Sequence, residues 1–279
     1  MPPTAVHAET FLHHIELQSP NPGVLAKFYG SAMDMRVETL KDGRLLCTGP
    51  QRRMLFANGP PQKMGFAAFA CRDRDGLDDL RAHAQGADAP TVASPSPLFG
   101  PEAFAVRDPD GNVMVFGLAP DNEPQPKGIT GPLQHVTLGT SDVTAIEKFY
   151  TEKLGFLLSD RVFNEQGDLT TCFMRSNHEH HTLGCFRSAK VGIDHHSYEA
   201  GEWDRIRDWC DHFATKDIQL MWGPGRHGPG NNLFIFIADP DGNWIEVSAE
   251  IEIMRDRKVK HWPHGERTLN LWGRAILRS

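Results

Sequence analysis

No stretch of this 279-residue chain approaches the roughly 20 consecutive apolar residues that a membrane-crossing helix needs, so no membrane span is expected. Basic clusters are missing as well. The net charge is −7, the pI is near 6.0, and no Lys/Arg run interrupts that balance, which argues against a nucleic-acid surface. Cysteine is scarce: Cys47, Cys71, Cys172, Cys185 and Cys210 are odd in number and form no C-x-x-C. They read as reduced, mostly buried thiols of a cytoplasmic protein. Met1–Thr10 has neither a basic start nor an apolar core, so no signal peptide is expected. What remains is a soluble chain long enough for two domains of roughly 100–150 residues.

What the chain does have is a repeat. Asp-Pro-Asp-Gly-Asn occurs at Asp108–Asn112 and again at Asp239–Asn243, each copy running into a short apolar segment. Leu12-His13-His14-Ile15-Glu16-Leu17 matches Leu133-Gln134-His135-Val136-Thr137-Leu138, and Lys27-Phe28-Tyr29 matches Lys148-Phe149-Tyr150. These two pairs stand 121 residues apart and the pentapeptides 131 apart, a difference that loop insertions explain. The chain is a tandem duplication.

Each half reads as strand, helix and several strands, done twice. In the second half Leu133–Leu138 reads as a strand and Val143–Lys153 as a helix, with Ser141 or Asp142 at its N-cap and Gly155 at its end. The pattern restarts with a strand at Gly192–Glu199 and a helix at Trp203–Ala214, whose apolar face is Trp203, Ile206, Cys210, Phe213 and Ala214. Phe234–Ile237 and Trp244–Val247 read as strands joined by the second pentapeptide, which is a turn and not a ligand. The fold class is therefore α+β: four βαβββ modules in two tandem homologous domains, residues 1–120 and 131–250. The proline-rich segment Ala119–Pro132, with Pro120, Pro124, Pro126, Gly128 and Pro132, reads as the linker. Residues 251–279 lie outside the duplication, with Trp262 and Trp272 expected to pack back on the second domain.

The duplication supplies an internal control. Aligning the repeats sets His14 beside His135, Phe69 beside His196 (Gly65 on Gly192) and Val115 beside Glu246. The second half thus has His, His, Glu where the first has His, Phe, Val. A lone strand histidine is more often a packed residue than a ligand, and His14 fits that description because Phe69 and Val115 cannot bind metal. Glu246 lies between Ile245 and Val247, so it points to the face opposite theirs, and a buried charge needs a partner. Two imidazoles and a carboxylate suit non-haem Fe(II), and ligand type does not separate Fe from Mn. The same half carries Asn177-His178-Glu179-His180-His181-Thr182-Leu183 and Gly223-Pro224-Gly225-Arg226-His227-Gly228, histidines suited to moving protons near neutral pH.

At these residues the sequence resembles the type I extradiol ring-cleavage dioxygenases of the vicinal oxygen chelate superfamily. The resemblance rests on Leu133-Gln134-His135-Val136, Glu179-His180-His181-Thr182-Leu183, Ile193-Asp194-His195-His196, Gly223-Pro224-Gly225-Arg226-His227 and Asp239–Glu246, in order. It implies that each domain is an incomplete mixed β-barrel with outer helices, and that the first domain binds no metal. It implies Fe(II), with Mn(II) as the other candidate, on His135, His196 and Glu246. His181 takes the place of the acid/base, with His180 in support and His227 hydrogen-bonding near substrate and oxygen. Candidate substrate contacts are His195, Phe236, Arg226 and Phe173, with Phe236 standing where the family commonly has tyrosine.

The function implied is cleavage of a catechol-type ring, with an aromatic vicinal diol and O2 as the partners. A homo-oligomer in the cytoplasm is expected, with no nucleic-acid or membrane partner. A glyoxalase-like isomerase or lyase with Zn, Ni or Mn on the same modules is the alternative, but it would want a further carboxylate where Val115 stands. A small-molecule sequestering resistance protein is a third reading, which the acid/base histidines argue against.

Overall fold

A computed structural model describes residues 4–120 and 126–277. A short helix α1 (Thr4–His7) precedes the first module, β1 (Phe11–Ser19), α2 (Pro22–Ala32), β2 (Arg36–Thr39), β3 (Leu45–Gly49) and β4 (Arg52–Asn58). The second is β5 (Lys63–Cys71), α3 (Arg74–Gly86), β6 (Thr91–Ala93), β7 (Phe104–Arg107) and β8 (Val113–Leu118). The third is β9 (Leu133–Thr140), α4 (Val143–Lys148), β10 (Leu157–Phe163), β11 (Leu169–Arg175) and β12 (Leu183–Arg187). The fourth is β13 (Gly192–Glu199), α5 (Trp203–Ala214), β14 (Trp222–Arg226), β15 (Leu233–Ala238) and β16 (Trp244–Ala249). β17 (Lys260–Pro263) and α6 (Glu266–Leu269) complete the tail.

Within each half the two modules join along one antiparallel pair, β1 with β5 and β9 with β13. The strand orders are β2-β3-β4-β1-β5-β8-β7-β6 and β14-β15-β16-β13-β9-β12-β11-β10-β17, two open mixed sheets of the same plan. The added β17 lies parallel on the edge strand β10. No helix among the described residues is long and apolar enough to cross a membrane.

One buried cluster runs through both halves, from Ile15 and Tyr29 to Tyr150, Ile206 and Trp209. The duplicated turns clasp this joint. Asp108 Oδ1 accepts the Asp110 and Asn112 amides, as the turn reading requires, and Oδ2 accepts both Asn112 Nδ2 and the hydroxyl of Tyr150 from the other half. Reciprocally, Asp239 Oδ2 accepts Asn243 Nδ2 and the hydroxyl of Tyr29. Each turn thus satisfies a buried tyrosine of its sister half.

Several local expectations change. The helix after β9 ends as α-helix at Lys148 and finishes as a π turn, Phe149–Lys153, before Gly155 at φ +69°. Its N-cap is Asp142, which accepts the Ala145 amide at 3.0 Å. The buried face of α5 is Ile206, Trp209 and Phe213, while Trp203 is 43% exposed. Trp209 wins that place because its ring nitrogen donates to the Thr130 carbonyl of the linker. Pro124 lies outside the described residues. Further on, the buried Arg52 guanidinium holds the Ile129 and Gly131 carbonyls. In the tail Trp262 donates to Asp160 Oδ2 at 2.8 Å, whereas Trp272 stays 53% exposed beneath Arg226.

Candidate metal centre and active site

Glu246 lies mid-strand in β16, and its neighbours Ile245 and Val247 point into the shared core. Alternation sends its carboxylate to the opposite, concave side of the second sheet. There Glu246 stands opposite Ser197 of β13, and Ser197 stands opposite His135 of β9. Directly paired residues share a face, and so does the residue two along from Ser197, which is His195. His135 Nε2 and His195 Nε2 accordingly lie 3.0 and 3.3 Å from the same oxygen, Glu246 Oε2. One ligand atom from each of the three falls within 4.8 Å of the others, and all three residues are buried.

His196 does not join them. Its Nε2 lies 3.2 Å from the Tyr29 hydroxyl and its ring stacks on Tyr29, on the core side of the strand. The expectation failed by register. Asp194 is the extra residue of a bulge in β13, Gly65 is the extra residue of the matching bulge in β5, and the repeats therefore align there rather than Gly65 on Gly192. The counterpart of His195 is Phe66, and that of His196 is Ala67. A sequence signal for this was present: Phe69 and Asp73 align with Tyr198 and Glu202, an aromatic followed four residues later by the acidic N-cap of a helix.

The bulges also furnish partners that the sequence reading missed. Asp194 Oδ2 accepts His195 Nδ1–H at 2.6 Å, and Gln134 Oε1 accepts His135 Nδ1–H at 3.1 Å. Gln134 is oriented in turn by donating to Glu179 at 3.0 Å and Glu199 at 2.8 Å. Asn232 Nδ2 donates to Glu246 Oε1 at 3.2 Å. With both Nδ1 protons committed, the Nε2 lone pairs converge on a carboxylate oxygen, an acceptor-only arrangement that a divalent cation satisfies. The charges agree. Burial would raise the Glu246 carboxyl, but His135 and its neighbours hold it well below the ordinary range. Burial lowers His135 despite Glu246. Burial opposes charge on His195 too, yet Asp194 and Glu246 prevail and raise it.

A chain of groups reaches the same cavity from below. Asp160, held by Arg257 and Trp262, lies 3.0 Å from His180 Nε2, an approach too bent for a full-strength hydrogen bond but one that favours the ring proton on that nitrogen. His180 Nδ1 then accepts His181 Nδ1–H at 2.9 Å, leaving the His181 Nε2 lone pair as its free nitrogen. Burial, with His135 and His180 nearby, keeps His181 well below the ordinary histidine range, which favours the neutral ring. Its ring centroid lies 4.3 Å from that of His135 and 5.0 Å from that of Phe173.

On the other side His227 Nδ1 donates to the Leu269 carbonyl at 2.5 Å, and Nε2 lies 3.6 Å from Glu246 Oε1. Its ring stacks on Phe234 at 4.0 Å. Phe236 meets His195 edge-on at 5.3 Å and stacks against Trp222. His181, His227, Phe173 and Phe236 all line the cavity with the three converging residues. Arg226 does not. Its guanidinium is taken by Glu250 and the Asn231 carbonyl and lies over Trp272.

Residues 11–116 and 133–247 match the family described as the Glyoxalase/Bleomycin resistance protein/Dioxygenase superfamily. The chain is 26% identical to metapyrocatechase 2 of Cupriavidus necator over 96% of its length and 90% of that protein's. It is 28% identical to the iron-dependent extradiol dioxygenase of Rhodococcus jostii (strain RHA1), over 62% of this chain and 63% of the relative. In fold it is similar to homoprotocatechuate 2,3-dioxygenase of Brevibacterium fuscum, solved with 3,4-dihydroxyphenylacetate, at a TM-score of 0.81 and 20% identity, covering 96% of this chain and 89% of that one.

Proposed function

This chain belongs to the glyoxalase/bleomycin resistance protein/dioxygenase superfamily, and from that premise we propose that it is an extradiol dioxygenase. It opens the ring of a catechol-type substrate with O2, using Fe(II) held by His135, His195 and Glu246. The observation that carries this reading is the convergence of two imidazole nitrogens and one carboxylate oxygen beside His181, whose Nδ1 is committed to His180. Bound there, Fe(II) supplies a Lewis acid and a template that brings diol and oxygen together.

The protein's own residues do the rest. Asp194 and Gln134 keep the two imidazoles in the tautomer that presents Nε2, and Asn232 keeps Glu246 turned inward. His181 Nε2 accepts a proton from a diol hydroxyl as the substrate enters and returns it to the departing oxygen during ring opening. The His180–Asp160 pair behind it steadies the transient imidazolium. His227, with Nδ1 committed to Leu269, turns Nε2 toward the oxygens beside Glu246. Phe236 offers no hydroxyl, so His181 and His227 carry the proton traffic between them. Phe173 and Phe236 wall off water, which strengthens each polar contact inside.

A glyoxalase-like isomerase fits less well. In the described residues, the one converging group of His and carboxylate donors belongs wholly to the second half. The test is oxygen uptake and formation of a yellow ring-fission product from catechol after anaerobic loading with Fe(II). His181→Ala is expected to keep its iron and lose at least about 100-fold in ring opening. Near-normal turnover by that variant removes His181 from the chemistry, and tightly bound Zn with no oxygen uptake favours the isomerase.

A further inference from the structure

The cavity beside His135, His195 and Glu246 has two kinds of wall. Its polar groups are those already given a task in the reaction, together with Thr137 and Thr171. The remainder includes Phe173, Phe186, Trp222, Phe236, Leu269 and Ile276. Among the described residues, no lysine or arginine lines it. The obvious cation, Arg226, is turned away and neutralised by Glu250 at 2.7 Å.

From this we infer that the catechol accepted here carries an uncharged, apolar substituent, alkyl or aryl, and that carboxylated catechols are discriminated against. This rests on the dioxygenase reading above. The physical reason is desolvation. A carboxylate on the ring would leave water for an aromatic and aliphatic wall, find no cation there, and share the enclosure with the Glu246 carboxylate. A methyl or phenyl substituent entering the same space gains from burial against those rings.

Part of this wall lies outside the duplicated modules. Leu269 and Ile276 come from the tail, which is pinned over the cavity mouth by several contacts besides that of His227 with the Leu269 carbonyl. The Gly228 amide donates to the Thr268 carbonyl, the Leu271 amide to the Arg226 carbonyl, and Trp222 Nε1 to the Arg274 carbonyl. The modules thus set the reaction and the tail helps to set the substituent. Ile276, 38% exposed, stands at the rim where a change of charge can be made without opening the core.

The experiment uses the full chain loaded anaerobically with Fe(II). Specificity constants for 4-methylcatechol and 2,3-dihydroxybiphenyl are compared with those for 3,4-dihydroxyphenylacetate and 3,4-dihydroxybenzoate, and anaerobic binding constants are measured for the same four. The apolar pair is expected to lead by about 100-fold or more in kcat/KM, with tighter binding in the same order. Ile276→Arg is expected to narrow the gap at least about tenfold by improving the carboxylated pair. Carboxylated catechols bound and turned over as well as the apolar ones overturn the inference. Absence of oxygen uptake with every catechol sinks the dioxygenase reading instead, and the binding order then still decides the character of the wall.

Discussion

The two concave faces of this molecule are built on one plan and filled in opposite ways. In the second half the row across β9, β13 and β16 reads His135, Ser197, Glu246; in the first, across β1, β5 and β8, it reads His14, Ala68, Val115. Two residues before the middle position stand His195 and Phe66, and the paired rings meet almost identically, His135 with His195 at 5.6 Å and 81°, His14 with Phe66 at 5.5 Å and 88°. The backbone therefore does not decide which half carries the site. What differs is the chemistry hung on it. In the first half Phe99 packs against His14 at 4.8 Å and joins Leu46, Leu55, Phe66, Ala105 and Val115 in an apolar plug. His14 spends its outer nitrogen on Ser96 Oγ at 2.8 Å, and burial holds it well below the ordinary histidine range. A histidine without a facing carboxylate is a core residue; the same histidine opposite Glu246 is a ligand candidate.

The comparison can be broken most severely at Glu246. Glu246→Val gives the second half the residue of the first, and is expected to weaken Fe(II) binding by roughly 1000-fold or more while the fold persists, since no buried charge remains to be satisfied. Metal content after gel filtration and the thermal melting curve check both parts. A variant that keeps its iron would end the claim that this position separates the halves.

The next effect separates two neighbours. His195→Phe, again the first-half residue, is expected to cost about 100-fold or more in metal affinity with little loss of stability. His196→Leu is expected to keep its metal but lose about 1–2 kcal/mol, because the buried Tyr29 hydroxyl forfeits a partner. Iron titration beside chemical denaturation distinguishes them, and the reverse pattern would restore His196 as the ligand. The smallest effect concerns Gln134, which matches His13 in the first half. Gln134→Leu removes the acceptor that orients His135 and the donor shared by Glu179 and Glu199, and a loss of about 10- to 100-fold in Fe(II) affinity is expected together with about 1–3 kcal/mol of stability. Unaltered affinity would mean that His135 needs no such support.

Much of this was legible in the residues. The pentapeptides announced the duplication, and Glu246 between two aliphatic strand residues announced a buried carboxylate in need of a partner. His181 and His227 stood out by the resemblance of their motifs, and both line the cavity, although the direction of their ring nitrogens was not legible. Arg226 was misread because a glycine-rich turn does not reveal that Glu250 and Trp272 lie waiting for its guanidinium. Asn232, Asp160 and Leu269 left no signal at all, because each acts through a partner 14 to 42 residues away that only the folded chain brings near.

The number of modules, their order, the turns between strands and the half that gathers the histidines and the carboxylate all follow from local pattern and from comparing one copy with the other. Strand pairing, in contrast, is what brings His195 rather than His196 beside His135 and Glu246. A strand presents alternate residues to opposite faces, so a slip of one position exchanges core for cavity. The slip here is set by the bulges at Gln134 and Asp194, whose existence depends on how β9 and β13 pair. The tail's share in the wall was decided the same way, because Leu269 and Ile276 reach the cavity only once β17 has docked on β10 and the chain has turned back across the mouth.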